Sequence, residues 1–336
     1  MPLMKILVTG AAGFIGSALC QKLGTEGHNV VAIDNFSTYY DVSLKNARIK
    51  ELLEPLKIDV IDLDICNSTK LNSLIIQSEL DVVINLAAQA GVRLPFQETN
   101  KYVESNLVGF SNILCSTVDN KVPYFLYASS SSVYGNKVAI PYTESEQNLH
   151  PASFYGATKL ANELLTPTLV QSSATAARGL RFFTVYGPWG RPDMAYFRMI
   201  ANIVSGSEFN FFGDGSVERD FTYIKDAINS VVALMGELKT HKPGYSDVVN
   251  LGGGRPLSMN YLLQTVGSIS KKEVKFSRHN SNANDAIKTM SDSTCIQSLI
   301  GSKPSIKLED GIKKTIQWAM REEIAPCLNN WVNSVK

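Results

Sequence analysis

The sequence predicts an α/β fold, in which a doubly wound parallel sheet is followed by a smaller α+β C-terminal domain. Short apolar runs alternate with longer amphipathic segments through the first half of the chain, and loop signals such as "GPWGRPD" and "LGGGRP" become denser in the second half. Strands that alternate with helices are typical of βαβ units and a parallel sheet. We expect a first domain over residues 1–181, rejoined by part of 220–252, and a second domain mainly over 182–336.

The elements of the first domain can be read in chain order. The strands are predicted at "KILVTG", "NVVAID", "KIDVIDLDI", "LDVVINLAA", "VPYFLYASS" and "LRFFTVYG". The helices are predicted at "FIGSALCQKLGTEG", "NKYVESNLVGFSNILCSTVDN" and "SFYGATKLANELLTPTLV". Near the C-terminus, "LEDGIKKTIQWAMREEI" is amphipathic and predicts a structural helix.

Composition and charge exclude several classes of function. Hydrophobic residues make up 44% of the 336 residues and charged residues 19%, as is usual for a soluble globular protein. The net charge of +1 indicates no surface for a polyanion, so nucleic acid is not expected as a partner. No apolar run is long enough to span a membrane, and "MPLMKILVTG" does not have the form of a signal peptide. We expect a cytoplasmic protein without a membrane partner.

The five cysteines and four histidines are scattered along the chain. Their spacings match neither a C-x-x-C pair nor a zinc site. We therefore expect reduced, mostly buried thiols and no metal.

A glycine-rich segment follows the first predicted strand. In "VTGAAGFIG", Gly10, Gly13 and Gly16 allow a tight turn, a close approach to a pyrophosphate and a helix N-terminus aimed at its charge. The triplet alone also fits an ordinary turn. Asp34 at the end of the second strand favours the nucleotide, because a carboxylate there binds both ribose hydroxyls and repels a 2′-phosphate. The sequence thus predicts a Rossmann-type domain that binds NAD rather than NADP.

The cofactor site is expected to continue along the carboxyl edge of the sheet. Asp64 and Ile65, which end the third predicted strand, are placed near an adenine edge, although Asp64 also fits a turn or a helix cap. "NLAA" ends the fourth strand with small residues that let a cofactor cross the edge. The full set assigned to the cofactor is Gly10, Gly13, Phe14, Ile15, Gly16, Asp34, Asn35, Asp64, Ile65, Leu86, Ala87, Ala88, Tyr155 and Lys159.

"YGATK" places Tyr155 and Lys159 on one face of a predicted helix. A tyrosine phenol has a pKa of about 10 and is a poor base at neutral pH. A lysine ammonium one turn away, together with the nicotinamide charge, lowers that pKa. Tyr155 would then remove a proton from a substrate hydroxyl while a hydride passes to NAD. The pair also fits an ordinary surface, but the nucleotide motif upstream and the serine-rich strand end between them favour a catalytic site.

The motifs "GAAGFIG", "NLAA", "SSSSVYG", "YGATK" and "GDGSVERDFTYIKD" occur in an order that resembles the extended short-chain dehydrogenases/reductases of the nucleotide-sugar epimerase/dehydratase group. The resemblance covers nearly the whole chain. It implies a tightly bound NAD, a C-terminal domain that holds a nucleoside-diphosphate sugar, and a homodimer packed through two helices per subunit. It also implies that Ser130 is a catalytic serine and that Arg219 binds the diphosphate. For Arg219, a salt bridge with a neighbour such as Asp220 is the alternative.

The residues directly before Val-Tyr-Gly differ between enzymes of this group that catalyse different reactions. Dehydratases resemble one another in an Asp-Glu pair there, and UDP-glucuronate decarboxylases keep a glutamate. In this chain the two positions are Ser131 and Ser132. Deprotonation at C5 and loss of water therefore lack an acid–base catalyst, which favours a simple 4-epimerase.

The substrate is indicated by Thr184 and Arg191 in "RFFTVYGPWGRPDMAYF". With the serine run, "AAQAGVR" and "YYDVSLK", they resemble epimerases that act on UDP-glucuronate. A 4-keto hexuronic acid is a β-keto acid, and short hydroxyls would hold its carboxylate out of the alignment that releases CO₂. We expect reversible interconversion of UDP-glucuronate and UDP-galacturonate. The alternatives are a UDP-glucose or UDP-N-acetylglucosamine 4-epimerase, less favourably a decarboxylase, and outside enzymes a non-catalytic NAD-binding sensor.

The substrate-binding set is completed by a loop near the C-terminus. "NANDAIKT" places Asn284 and Asp285 where the group usually has Gly-Asp, and asparagine tolerates a positive φ better than most residues. The full set assigned to the substrate is Ser129, Ser130, Ser131, Thr184, Arg191, Arg219, Arg93 and Asp285.

Overall fold

The computed structural model describes residues 3–91, 95–280 and 286–335. The strands are β1 (Lys5–Thr9), β2 (Asn29–Asp34), β3 (Val60–Asp62), β4 (Val82–Asn85), β5 (Tyr124–Ser130), β6 (Ala176–Phe182), β7 (Thr184–Tyr186), β8 (Phe209–Phe212), β9 (Glu218–Tyr223), β10 (Ser246–Leu251), β11 (Pro256–Ser258) and β12 (Phe276–His279). The helices are α1 (Phe14–Thr25), α2 (Val42–Arg48), α3 (Ser68–Ser78), α4 (Asn100–Tyr102), α5 (Gly109–Asp119), α6 (Phe154–Val170), α7 (Ala195–Ser205), α8 (Ile224–Leu238), α9 (Met259–Ser270), α10 (Thr294–Ile300), α11 (Leu308–Ala319) and α12 (Leu328–Asn333). Short 3₁₀ or π-helical stretches cover Ile49–Leu53, Glu54–Leu56, Phe96–Glu98, Val103–Val108, Ser131–Val133 and Ala325–Cys327.

Seven strands form one parallel sheet in the order β10-β6-β5-β4-β1-β2-β3. Alternate residues of β1 and β4 pack into separate apolar clusters, which shows that helices cover both faces of the sheet. The strand order reverses between β1 and β4, and doubly wound sheets bind ligands in the crevice at such a point. The predicted fold class is confirmed.

The remaining strands form two small sheets, β11-β9-β7 and β12-β8. The segment "LRFFTVYG", predicted as one strand, belongs to two sheets. Phe182 pairs with Ser130 in the large sheet, whereas Thr184 pairs with Phe221 in the three-stranded sheet. The chain therefore leaves the large sheet at Phe183, beside the serine run.

Strand β10 returns to the edge of the large sheet, where it pairs with β6. On this basis we keep the division into a first domain of residues 1–181, rejoined by part of 220–252, as a proposal. Within the part of the chain that the structure describes, no helix combines the length and the apolar character needed to cross a membrane.

Candidate functional site

The glycine-rich turn between β1 and α1 has no space for a side chain at its glycines. Gly10 has a φ of +68°, and a Cβ there would lie 2.9 Å from the backbone nitrogen of Ala87. A Cβ on Gly16 would lie 2.1 Å from the carbonyl oxygen of Gly10. The turn therefore brings the backbone of β1 against the end of β4, at the point where the strand order reverses.

The start of α1 faces this crevice. Gly13 is the N-terminal cap of α1, and Phe14 and Ile15 begin the helix; Phe14 is buried and Ile15 half-buried. The first backbone N–H groups of a helix have no partner within the helix and carry partial positive charge. This arrangement fits the pyrophosphate of a dinucleotide.

Asp34, at the end of β2, is buried and accepts three hydrogen bonds. They come from the backbone nitrogens of Ala12 (3.1 Å) and Phe36 (2.8 Å) and from the ammonium of Lys45 (2.8 Å), which is also buried. A carboxylate has about four acceptor sites, so this arrangement leaves room for a ribose hydroxyl. The Asp34 carboxylate fits the adenosine end of NAD.

Asp64 lies two residues beyond the end of β3 rather than in the strand. Its carboxylate accepts hydrogen bonds from the backbone nitrogen of Cys66 (2.8 Å) and from Nδ2 of Asn35 (2.9 Å). Burial opposes ionisation, but these hydrogen bonds hold the pKa of Asp64 below its ordinary value. Asp64 thus forms the predicted turn and also links the ends of β2 and β3, and Ile65 beside it is buried.

The end of β4 is held to β1 by a threonine. The Thr9 hydroxyl accepts hydrogen bonds from the backbone nitrogens of Leu86 (3.1 Å) and Ala87 (3.0 Å). Leu86, Ala87 and Ala88 are all half-buried. This edge of the crevice is lined by short or apolar side chains, as a cofactor that crosses the sheet edge requires.

The structure brings Tyr155, Lys159 and Ser130 together. The Lys159 ammonium donates to the carbonyl of Ala128 (2.9 Å) and lies 5.8 Å from the centre of the Tyr155 ring, and Ser130 is close enough to Tyr155 to act on the pKa of its phenol. Burial lowers the pKa of Lys159 to about 8. Burial raises the pKa of Tyr155, while the Arg191 charge and the neighbouring Ser130 hydroxyl act to lower it.

The four serines of the serine run (residues 129–132) have different surroundings. The Ser130 hydroxyl donates to the Ser132 hydroxyl (3.1 Å), and Ser131 and Ser132 are half-buried. Ser129 is buried, and its hydroxyl donates to the carboxylate of Glu163. Because this hydroxyl is already engaged, we no longer include Ser129 among the residues proposed to contact the substrate.

Glu163 belongs to a buried ion pair beneath the serine run. Both of its carboxylate oxygens accept hydrogen bonds from Arg181, at 2.9 and 2.7 Å. Arg181 also donates to the Tyr134 hydroxyl (2.7 Å), which in turn donates to Asn250 (2.8 Å) on β10. This network connects the serine run through α6 and β6 to the edge of the sheet.

Arg191 forms a two-point ion pair with Asp193, at 3.0 and 2.6 Å. The Tyr39 hydroxyl donates to the same carboxylate at 3.4 Å. Arg191 is close enough to Tyr155 for its charge to act on the phenol. The predicted Arg191 therefore lies on the Tyr155 side of the site, with its charge partly balanced by Asp193.

Thr184 is half-buried at the start of β7, two residues after Phe182, which pairs with Ser130. Arg219, on β9, donates to the backbone carbonyl of Ala286 (2.7 Å). The predicted residues Arg93 and Asp285 lie outside the described residues, as does Asn284.

Asp220, the alternative partner of Arg219, is buried. Its carboxylate accepts hydrogen bonds from the backbone nitrogens of Gly253 (3.1 Å), Gly254 (2.9 Å) and Ser291 (3.0 Å). Its role is therefore to hold the glycine loop that follows β10.

Sequence reasoning missed several residues around this site. Lys45 pairs with Asp34, Asp193 pairs with Arg191, and Glu163 holds Ser129. The pairing of Asp193 with Arg191 could have been predicted from the sequence, because Asp193 follows Arg191 by two residues in a loop. No local pattern in the sequence indicated the roles of Lys45 and Glu163, since each bonds a residue on another element.

Comparison with known proteins agrees with this geometry. Residues 6–252 match the model of the NAD dependent epimerase/dehydratase family. UDP-glucuronate 4-epimerase 4 of Arabidopsis thaliana is 38% identical over 333 residues, which cover 94% of this chain and 75% of the relative. The crystal structure of the UDP-glucuronic acid 4-epimerase from Bacillus cereus in complex with UDP-glucuronic acid and NAD has a TM-score of 0.85 and 36% identity, and covers 94% of this chain and 98% of that one.

A more distant structure shares the same fold. The UDP-glucose 4-epimerase of Thermotoga maritima with UDP-glucose has a TM-score of 0.82 and 26% identity, and covers 94% of this chain and 98% of that one. The chain thus belongs to the NAD dependent epimerase/dehydratase family, with NAD as its cofactor.

Proposed function

We propose that this protein is a UDP-glucuronate 4-epimerase, which interconverts UDP-glucuronate and UDP-galacturonate. The observation that carries the proposal is the serine run beside Tyr155, which presents hydroxyls where the dehydratases and decarboxylases of the group carry a carboxylate. The similarity to UDP-glucuronate 4-epimerases over 94% of the chain supports it. We also propose that the sugar-nucleotide diphosphate is bound by Arg219, which is half-buried on β9, because a guanidinium pairs with phosphate oxygens at two points.

The proposed chemistry begins at the C4 hydroxyl of the sugar. Tyr155 accepts its proton, and Ser130, which lies beside Tyr155, orients the same oxygen. Lys159 and Arg191 supply positive charge that favours the phenolate. The glycine-rich turn and Asp34 would hold NAD at the crevice, where it would supply the hydride acceptor for C4 and the hydride donor for the opposite face once the 4-keto sugar has turned over. Tyr155 then gives the proton back to the C4 oxygen.

The C6 carboxylate must be restrained while the 4-keto sugar turns over. A β-keto acid loses CO₂ when the bond to its carboxylate aligns with the carbonyl π-system. We propose that Ser131, Ser132 and Thr184 hold the carboxylate away from that alignment by hydrogen bonds. Ser130 and Phe182 are paired across β5 and β6, so the serine run and Thr184 follow neighbouring strand ends. Arg191 is paired with Asp193, so its positive charge near the C6 carboxylate is partly neutralised.

The proposed active form is a homodimer. On α6, which also carries Tyr155, the apolar side chains of Leu164, Leu165 and Leu169 are exposed by 63%, 40% and 39%. Val108, just before α5, is exposed by 48%. Exposed apolar groups on neighbouring helices are typical of a subunit interface. The family resemblance likewise implies a homodimer packed through two helices per subunit.

A panel of UDP-sugars tests the substrate proposal. We expect kcat/KM for UDP-glucuronate to exceed the values for UDP-glucose and UDP-N-acetylglucosamine by at least about 100-fold, because the neutral sugars leave the polar groups of the site without the carboxylate that they bind. Equal or higher values for the neutral sugars would favour the alternative, a UDP-hexose 4-epimerase.

Tyr155→Phe tests the catalytic assignment with a minimal change. We expect it to abolish turnover of every UDP-sugar while the protein retains bound NAD. Loss of NAD together with activity would instead indicate a structural role for the Tyr155 hydroxyl.

A further inference from the structure

Arg48, the last residue of α2, is fully buried and forms four hydrogen bonds to three segments of the chain, two of which are distant in sequence. Its Nε and Nη2 donate to the carbonyls of Trp189 and Gly190, both at 2.9 Å. Its Nη1 donates to the carbonyl of Ala12 (3.1 Å) and to the hydroxyl of Tyr40 (2.8 Å). One guanidinium therefore joins the glycine-rich turn to a loop more than 140 residues away.

All four of these acceptors are neutral. A buried cation that is held by carbonyls and a phenol is costly, because its desolvation is not offset by a carboxylate. Apolar residues of similar volume fill buried space at lower cost. The Arg48 side chain is suited instead to holding several backbone segments in fixed positions, since the planar guanidinium presents five donors in a fixed arrangement.

The loop that Arg48 holds, residues 187–193, has a strained backbone. Trp189 has a φ of +63°, in the left-handed region that bulky residues rarely adopt. A Cβ on Gly190 would lie 1.7 Å from the Tyr196 hydroxyl oxygen, so this position also has little freedom. Strained conformations persist only where the surroundings hold them. Arg48 holds the carbonyl of the strained residue and the carbonyl that follows it.

The residue after Gly190 is Arg191, whose charge acts on Tyr155. On the opposite side of Arg48, Ala12 lies inside the glycine-rich turn and also donates to Asp34. Arg48 thus links the position of Arg191 to that of the glycine-rich turn. Within the described residues, the charged and titratable groups that face Arg191 and Tyr155 are Asp193, Tyr39, Tyr196, Lys159 and Tyr102.

We propose that Arg48 is a positioning residue that fixes the loop of residues 187–193 against the glycine-rich turn. The distance and orientation between this turn and Arg191 are thereby held constant. The inference requires only the NAD site and the proposed role of Tyr155, and it does not depend on which sugar is bound.

Arg48→Lys in the NAD-loaded enzyme tests this proposal. A lysine has one ammonium and cannot reach both segments with the geometry of the guanidinium fork. The matched control is Arg178→Lys, because Arg178 is equally buried but bonds Asp247 and Glu237 away from the site. The readout is the alkaline titration of the Tyr155 phenolate by ultraviolet absorbance, taken as the difference from the same protein with Tyr155→Phe.

We expect Arg48→Lys to raise the pKa of Tyr155 by about half a unit, because the Arg191 charge that lowers this pKa would no longer be held in place, and a retreat of about 2 Å by a nearby unit charge has an effect of this order at an effective dielectric constant of about 20. We also expect NAD to be released several-fold faster, since the contact to Ala12 is lost. Arg178→Lys should lower the unfolding temperature and change neither quantity. This readout needs no substrate, so a failure of the UDP-glucuronate assignment would not affect it.

A lower unfolding temperature with an unchanged Tyr155 titration and unchanged NAD release would overturn the proposal, because a merely structural role predicts that outcome. If Arg48→Lys does not fold, Tyr40→Phe decides the question. It removes one of the four hydrogen bonds of Arg48 and should shift the Tyr155 titration in the same direction. The absence of any shift in that variant would also refute the role.

Discussion

Replacement of Lys159 by methionine removes the ammonium beside Tyr155 while keeping a side chain of similar length. The ammonium lies 5.8 Å from the centre of the Tyr155 ring. At an effective dielectric constant of about 20, a unit charge at that distance favours the phenolate by about 3 kcal/mol, or about 2 pKa units. We therefore expect the acidic limb of the pH profile of kcat to move up by about 2 units. At neutral pH, kcat should fall about 100-fold.

The size of this effect should depend on pH in a defined direction. Burial lowers the pKa of Lys159 to about 8, so its ammonium is present at neutral pH and is lost as the pH rises further. The wild-type enzyme thus loses the stabilising charge at high pH, while the variant gains phenolate there. The ratio of wild-type to variant kcat should be largest near neutral pH and should shrink under alkaline conditions.

The assay is kcat as a function of pH for the NAD-loaded wild type and Lys159→Met. Lys314→Met is a matched control, because the Lys314 ammonium lies 5.6 Å from the ring of Tyr223, outside the site. We expect the control to leave kcat unchanged. If Lys159→Met lowers kcat by the same factor at every pH and leaves the acidic limb in place, the electrostatic reasoning is wrong.

Three further substitutions test other parts of the structure. Gly16→Ala should yield protein without NAD, because the new Cβ would lie 2.1 Å from the carbonyl oxygen of Gly10; a full NAD content in the purified variant would contradict this. Glu163→Gln leaves the buried Arg181 without a charged partner and should lower the free energy of unfolding in urea by about 3–5 kcal/mol; a loss below about 1 kcal/mol would mean that the ion pair is not a stabilising contact. Leu164→Asp places a charge on the exposed apolar face of α6 and should give a monomer in light scattering; an intact dimer would place the interface elsewhere.

The parts of the site that the sequence predicted depend on local patterns. Gly10 and Gly16 are fixed by the sterics of one turn, and Asp34 follows directly from its place at the end of a strand. Tyr155 and Lys159 are four residues apart, so a helix alone brings them together. Each of these predictions required only that the helical period or the end of a strand be recognised in the sequence.

The contacts that the sequence did not predict join residues far apart in the chain. Arg48 bonds Trp189 and Gly190 across 141 and 142 positions. The division of "LRFFTVYG" into β6 and β7 likewise depends on the partner of Thr184, which is Phe221 on β9. Local propensity contains no information about such partners, because tertiary packing selects them.

The most direct test of the proposed function is incubation of the NAD-loaded protein with UDP-glucuronate, followed by NMR of the sugar-nucleotide products. The proposal predicts UDP-galacturonate as the product, formed reversibly and with the C6 carboxylate retained. A product that consists only of a UDP-pentose would contradict it. So would an absence of turnover under conditions in which the same preparation epimerises UDP-galactose rapidly.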